Sequence, residues 1–342
     1  MKKVFCFGEL LLRMSPALGH QWLRTNSMPV FIGGAELNVA QALAAWQVPV
    51  QYGTALPQNY LAQEVCDLMT EKNIDMSRIH FSGERIGTYY LPQGADLKNA
   101  GVIYDRAYSS FWSLKPGMIN WEETLKDAGW FHFSAISPAL NTDAVAVCKE
   151  ALEAATRLGL TVSVDLNYRA KLWQYGKKPS EVMPELAQYC HVIMGNIWAA
   201  ANLLGMPLNE QLIAADNKTE YLQHAVETSE AIARAFPVSH TVANTFRFDK
   251  EGGGIYYYAA LQSGGQQYVS PEFTADKIVD KVGSGDCFMG GLIYSLYNQH
   301  QPQDIINYAA AAAFNKLHEV GDATRQRVAD VQSTIQRYEQ KR

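Results

Sequence analysis

WFHFSAISPALNTDAVAVCKEALEAATRLGLTVSVDLNYRAKLWQYGKKPSEVMPELAQYCHVIM, residues 130–194, is the stretch whose periodicity decides the fold. The apolar run Trp130–Phe133 gives way to helical spacing over Thr142–Leu158, closed by Gly159. A second run, Leu160–Val164, leads to another helical stretch, Ser180–Tyr189, and then to a third run, His191–Met194. Strands alternating with helices in this way predict a parallel sheet covered on both faces. In such sheets ligands meet residues just beyond the carboxyl ends of the strands.

Outward from this stretch, Val4–Phe7 reads as a buried first strand with polar residues at its carboxyl end. Leu37, Ala40, Leu43 and Ala44 recur at helical spacing after Gly33-Gly34, and Tyr60–Lys72 reads as a further helix. The segments Arg13–Phe31 and Gly83–Pro116 lack that period, and the second contains the strand-like runs Thr88–Leu91 and Val102–Tyr104. Both are expected to form a peripheral sheet. Residues 208–236 are polar and helix-prone, which suggests an insertion or a surface helical hairpin. Val242–Phe246 and Gly254–Leu261 read as strands, and helices are expected at Gly285–Asn298, Asp304–His318 and Val328–Arg337.

With 342 residues, 48% of them hydrophobic, and 7 Trp, 18 Tyr and 13 Phe, the chain can bury a large core, which excludes disorder as its main state. A formal net charge of −5 argues against a general nucleic-acid binder, which needs surplus Lys and Arg to displace counterions. Glu9 interrupts the opening before any signal-like apolar segment develops, and no window is apolar for the length of a spanning helix. Cys6, Cys66, Cys148, Cys190 and Cys287 are odd in number and form no Cys-x-x-Cys pair. Free thiols in a reducing cytoplasm are therefore expected rather than disulfides or a zinc site.

Three stretches carry chemistry. In Asp280-Lys281-Val282-Gly283-Ser284-Gly285-Asp286-Cys287-Phe288-Met289-Gly290-Gly291, two glycines flank a small residue at the entrance to an apolar helix. Such an entrance leaves backbone N–H groups unpartnered at the positive end of the helix dipole, and so suits an anion. Asp286 would stand beside that anion, where a carboxylate can accept the proton of an attacking hydroxyl. An ordinary glycine turn, with Asp286 stabilising the helix start, fits the same residues. A dinucleotide fingerprint would require Gly at Phe288, and neither a Walker loop nor a protein-kinase catalytic loop occurs. In Gly33-Gly34-Ala35-Glu36-Leu37-Asn38-Val39-Ala40, glycines again meet a helix start, with Glu36 and Asn38 available to hydroxyls. Finally, Leu160-Thr161-Val162-Ser163-Val164-Asp165-Leu166-Asn167-Tyr168-Arg169 delivers Asp165, Asn167 and Arg169 to a strand's carboxyl end. The Arg169 fork can hold a carboxylate or phosphate, or can pair with Asp165.

Gly33-Gly34-x-x-x-Asn38-x-Ala40 and Asp280-x-x-Gly283-x-Gly285-Asp286 together resemble the two signature regions of the PfkB, or ribokinase-like, family of small-molecule kinases. The resemblance covers essentially the whole chain. It implies a single domain over residues 1–342: an α/β fold of the ribokinase-like three-layer αβα kind, doubly wound around a mostly parallel sheet. A small β-sheet lid would be formed by residues 11–32 and 83–116. It further implies that Asp286 deprotonates the substrate hydroxyl while the amides of Gly283, Ser284 and Gly285 stabilise the phosphoryl group of ATP, with Mg2+ as cofactor.

Phe7-Gly8-Glu9-Leu10-Leu11-Leu12-Arg13-Met14-Ser15-Pro16, Val102-Ile103-Tyr104-Asp105-Arg106 and Asp165-Leu166-Asn167-Tyr168-Arg169-x-x-Leu172-Trp173 look like the family's 2-keto-3-deoxygluconate kinases, whose substrate is a sugar acid. By that likeness Gly33, Gly34, Glu36, Asn38, Tyr89, Tyr104, Arg106 and Arg169 would bind substrate, with the two arginines facing its carboxylate. Tyr89 and Tyr104 are equally compatible with the lid's own core. Asn196, Thr245, Arg247, Asn315 and Asp322 would lie on the nucleotide side.

Lys281 and Ser284 replace the usual Thr and Ala of the late signature. In Asn196-Ile197-Trp198-Ala199 the glutamate that helps organise magnesium is missing, so no residue is assigned as a direct metal ligand. The partners expected are a sugar acid and ATP, with no nucleic acid and no membrane, in a homo-oligomer. A neutral ketose such as fructose is the alternative substrate, and a non-catalytic sugar-binding homologue, favoured by Ala199, is the alternative class.

Overall fold

The computed structural model describes residues 2–16, 22–24, 27–92, 101–211, 217–250 and 254–340. Its main sheet runs, edge to edge, through Gln266–Val269, Ile255–Ser263, Thr241–Asp249, Val192–Gly195, Thr161–Asp165, Ala128–Ser134, Lys3–Phe7, Val50–Gly53 and Ile74–Asp75. Pairing is parallel from Thr241–Asp249 to Ile74–Asp75, and antiparallel where Ile255–Ser263 meets Thr241–Asp249, Gln266–Val269 and Phe273–Ala275. Along Lys3–Phe7, the two-residue alternation turns Val4 and Cys6 into one core and Phe5 and Phe7 into the other. From Val4 to Phe7 this strand is apolar because helices cover both faces. Phe7 meets Trp121 edge-on, with ring centroids 4.9 Å apart.

From Lys3–Phe7 the chain first builds outward to Val50–Gly53 and Ile74–Asp75, and then returns on the other side at Ala128–Ser134. The order therefore reverses between Lys3–Phe7 and Ala128–Ser134. At such a reversal the flanking connections diverge and leave a crevice beyond the strand ends.

A separate four-stranded sheet, in the order Val30–Gly33, Leu11–Met14, Gly87–Tyr90, Ile103–Asp105, matches the expected peripheral sheet. Its extent is smaller than the sequence suggests. Beyond Arg106 the segment to Pro116 belongs to the main body, because Phe111 and Leu114 are buried in the core with Phe7 and Trp121. Of the first segment, residues 17–21 and 25–26 lie outside the described residues.

The expectation of a surface insertion at 208–236 also needs correcting. Helix Lys218–Ala235 is the crossover between the parallel strands Val192–Gly195 and Thr241–Asp249, and it buries Tyr221, His224, Ala225, Thr228, Ser229 and Ile232. Its inner face is polar because it is hydrogen-bonded: Asn244 Nδ2 donates to Ser229 Oγ at 3.2 Å. Residues 212–216 lie outside the described residues. All five cysteines are free and buried, and among the described residues no helix is long and apolar enough to cross a membrane.

Candidate active site

A cavity of about 340 Å³ opens at the carboxyl edge of the main sheet, beneath the small sheet. It collects residues from distant parts of the chain: Gly34, Glu36 and Asn38 from the first glycine turn, Tyr89, Tyr104 and Arg106 from the small sheet and its exit, and Arg169 beyond Thr161–Asp165. Asn196, Thr245 and Arg247 follow, and the run Lys281–Asp286 closes the lining.

The helix Ser284–Tyr297 begins at Gly283, which has φ 75° and offers no side-chain cap. The Ser284, Gly285 and Asp286 amides are first-turn donors without helical partners, and they sit in the cavity wall with the dipole's positive end behind them. The two glycines serve different needs. A Cβ at Gly283 would lie 1.8 Å from the Asp322 carbonyl oxygen, in a conformation that L side chains rarely adopt, whereas at Gly285 it would meet nothing within 4 Å. Gly283→Ala should therefore cost at least about 2 kcal/mol of stability. Gly285→Ala should leave the melting temperature unchanged or higher, yet cut turnover by about 10²-fold by placing a methyl where the anion would sit. Thermal melts beside steady-state kinetics check this contrast.

Asp286 is buried in that first turn, and its Oδ2 accepts a 2.7 Å hydrogen bond from Asn38 Nδ2. The first glycine turn thus holds the carboxylate of the second. Burial raises the Asp286 carboxyl to about 6, with Asn38 and the Arg169 charge pulling the other way. Glu36 faces the strand Ala128–Ser134. Its Oε1 accepts from Ser134 N at 2.9 Å, Ser134 Oγ at 2.6 Å and Ser137 Oγ at 3.4 Å, and burial lifts it to about 7. Gly34, at φ 136°, passes so close to the Glu9 carbonyl that a Cβ would stand 2.5 Å from it. Asp165 is raised further, to about 8, by burial and then by the Asp286 charge.

The two cations expected to face a carboxylate differ. Arg106 is buried against Glu9: its Nε donates to Oε2 at 2.6 Å, and Ser109 Oγ donates to the other oxygen. Its charge is already answered. Arg169 is half-buried in the cavity wall, its Nη1 donating to the Tyr168 carbonyl at 3.0 Å, and it pairs with no carboxylate among the described residues. The alternative pairing of Arg169 with Asp165 is not formed within ion-pair distance.

Three expected contacts fall outside the lining. Gly33 backs onto Asp322, Asp322 accepts from Tyr89 Oη at 2.9 Å, and Asn315 turns to the C-terminal helix Val328–Glu339, where Thr334 Oγ1 donates to it at 2.9 Å. Asn196 lines the cavity, but its Oδ1 caps helix Ile197–Leu204 through Ala199 N at 2.8 Å. Among the described residues no three His, Cys, Asp or Glu side chains gather as a metal-binding group. Glu9, Trp198 and Tyr257, to which the sequence assigns no site role, also line the cavity. Glu9 stands two residues beyond the first parallel strand, at the same sheet edge that presents Asp165, and that position was its available signal.

A doubly wound sheet with its cavity at the switch point, unpartnered helix-start amides and a buried carboxylate fit the class of small-molecule phosphotransferases. The chain belongs to the pfkB family carbohydrate kinases, whose profile matches residues 1–326. It is 28% identical over 322 residues to a 2-dehydro-3-deoxygalactonokinase of Haloferax volcanii, covering 92% of this chain and 91% of that one. It is 22% identical over 316 residues to a 2-dehydro-3-deoxygluconokinase of Bacillus subtilis, covering 91% and 89%. Among solved structures, a 2-dehydro-3-deoxygluconokinase of Thermotoga maritima superposes with a TM-score of 0.87 at 32% identity, over 98% of this chain and all of that one.

Proposed function

We propose that the chain is an ATP-dependent sugar-acid kinase converting 2-keto-3-deoxygluconate to its 6-phosphate. The observation that carries this reading is the pairing, in one cavity, of the Asp286 carboxylate beside unpartnered helix amides with the uncommitted cation Arg169. The substrate's terminal hydroxyl would give its proton to Asp286 as its oxygen attacks the γ-phosphorus. The bond from phosphorus to the bridging oxygen breaks, and ADP leaves. The Ser284 and Gly285 amides would stabilise the charge that develops. Lys281, which is paired with Asp249 at 2.8 Å, and Arg247 both line the cavity and suit the nucleotide phosphates.

The backbone at Gly285 is open to an approaching phosphate, and among the described residues no dedicated carboxylate set for a divalent ion is found. Magnesium would therefore arrive on ATP with its water, supplying charge neutralisation. Coverage by the small sheet would exclude water. The names of the Haloferax, Bacillus and Thermotoga proteins support a 2-keto-3-deoxy sugar acid as acceptor. The Arg106–Glu9 pair favours a second reading, a neutral ketose, because it removes one of the two expected cations.

ADP release measured over sugar acids, neutral sugars and nucleosides tests both readings. Release with 2-keto-3-deoxygluconate is expected; preference for a neutral ketose would transfer the assignment, and silence on every acceptor would end it. Arg169→Ala should raise KM for the sugar acid by roughly 10- to 100-fold, the worth of a charge-assisted hydrogen bond. A neutral analogue should be nearly indifferent to that change. Equal losses on both would mean that Arg169 supports its loop instead.

A further inference from the structure

Arg13 is the largest fully buried side chain among the described residues, and it stands outside the lining of the active-site cavity. Alternation along Leu11–Met14 turns it, like Leu11, to the inner face of the small sheet. Its cross-strand neighbours in register are Phe31 and Tyr89. The guanidinium lies over the Phe31 ring, 4.5 Å from its centroid. Burying an arginine is costly unless carboxylates meet it. Two do: Nη2 donates to Asp280 Oδ2 at 3.2 Å, and Nε forms an ion pair with Asp322 Oδ1 at 2.7 Å, though without hydrogen-bond alignment. The other Asp322 oxygen accepts from Tyr89 Oη at 2.9 Å.

Both acids lie outside the cavity, on the loops that flank the amide cradle. Asp280 Oδ1 accepts from Val282 N at 3.0 Å, directly before Gly283, and its Oδ2 also accepts from Gly321 N at 3.4 Å. The Asp322 carbonyl is the atom that forbids a Cβ at Gly283. Lys316, itself buried, clamps the same loop by donating to the carbonyls of Gly321 at 2.8 Å and Glu319 at 3.2 Å.

We propose that Arg13 is a positioning residue for phosphoryl transfer. By holding Asp280 and Asp322 together it fixes the two loops that set Gly283 in its left-handed conformation, and so couples the seating of the small sheet to the shape of the amide cradle. The proposal goes beyond the assignment of Asp286 and Arg169, but its kinetic arm rests on reading Gly283–Asp286 as the phosphoryl cradle.

Arg13→Lys keeps a buried cation while giving up the planar fork that reaches both loops. It should lower kcat about 10- to 100-fold, with KM for ATP and for the sugar acid held within about threefold. Amide hydrogen exchange over residues 280–287 should accelerate, while helix Thr142–Arg157 exchanges as before. Asp322→Asn should reproduce both effects. The double variant Arg13→Met with Asp322→Asn should lose less kcat than the product of the single losses, as partners in one network do.

Unchanged kcat per folded molecule in Arg13→Lys, a rise confined to KM, or a fully multiplicative double variant would each overturn the proposal. If Arg13→Met alone does not fold, Arg13→Lys and Asp322→Asn decide it. If the unmodified chain releases no ADP, the kinase reading falls by itself. The exchange pattern over 280–287 then still settles whether Arg13 holds the cradle.

Discussion

Asp286→Asn is expected to lower kcat by about 10²- to 10⁴-fold, the usual contribution of a positioned general base. Both KM values should stay within about threefold, because the loss falls on the transition state rather than on binding. The substitution is close to isosteric, and an asparagine oxygen still accepts from Asn38 Nδ2, which lies 2.7 Å from the present carboxylate. Stability should move the other way. Burial raises the Asp286 carboxyl to about 6, so at pH 8 the folded protein carries a charge that its surroundings disfavour. Removing it should stabilise the fold at that pH by a kcal/mol or more. A higher melting temperature with lost turnover is the mark of a functional group kept at a cost to the fold.

The pH profile supplies a second check. A base must be unprotonated to act, so kcat/KM should fall as pH drops through about 6, and the residual activity of Asp286→Asn should lack that acid limb. Turnover undiminished by Asp286→Asn would refute the assignment. An unchanged acid limb would hand the role to another carboxyl group.

What the sequence reveals here follows the range over which each signal acts. The 130–194 alternation of strand and helix is a local property of period and capping, and the structure reproduces it with end shifts of two residues or fewer. Both glycine turns are likewise local, since each is marked by the helix that it opens. Charge partners are not local. Arg106 meets Glu9 across 97 residues and Arg13 meets Asp280 across 267, so nothing in either neighbourhood says that one arginine is already neutralised and the other wholly buried.

Helix Lys218–Ala235 misleads for a related reason. Its inner face carries His224, Thr228 and Ser229, which read as solvent-facing until Asn244 is brought alongside. Asn315 sits near the end of helix Pro302–Lys316, where the run Ala309–Ala313 is buried on every side and gives no period, and only the hydrogen bond from Thr334 on Val328–Glu339 shows which way it points. Pattern therefore locates the sheet edge and its glycines, while the allocation of charge within the site depends on pairings that only the folded chain makes.

Asp165→Asn should raise the melting temperature at pH 8, and by much less at pH 5. Asp165 lies at the end of the central strand Thr161–Asp165, buried, with its Oδ1 accepting from Asn167 N at 3.1 Å. Its carboxyl is raised to about 8, first by burial and then by the Asp286 charge, against the opposing pull of Arg169. For a carboxyl raised in the folded state, the stabilising contribution is complete below the ordinary carboxylate range near pH 4 and is lost as pH rises through about 8. At pH 5 the folded Asp165 is protonated, and asparagine, which keeps the hydrogen bond from Asn167, resembles it closely, so the gain there is confined to the ionisation of the unfolded chain, which has only begun. At pH 8 half of the molecules carry a buried anion facing Asp286, and the substitution removes that repulsion. A gain on the order of 2 kcal/mol is expected at pH 8, or roughly 3 °C in melting temperature for a chain of 342 residues. Equal shifts at pH 5 and pH 8 would mean that asparagine simply packs better. No shift at pH 8 would mean that water reaches the carboxylate and that the cavity floor is wetter than its burial implies.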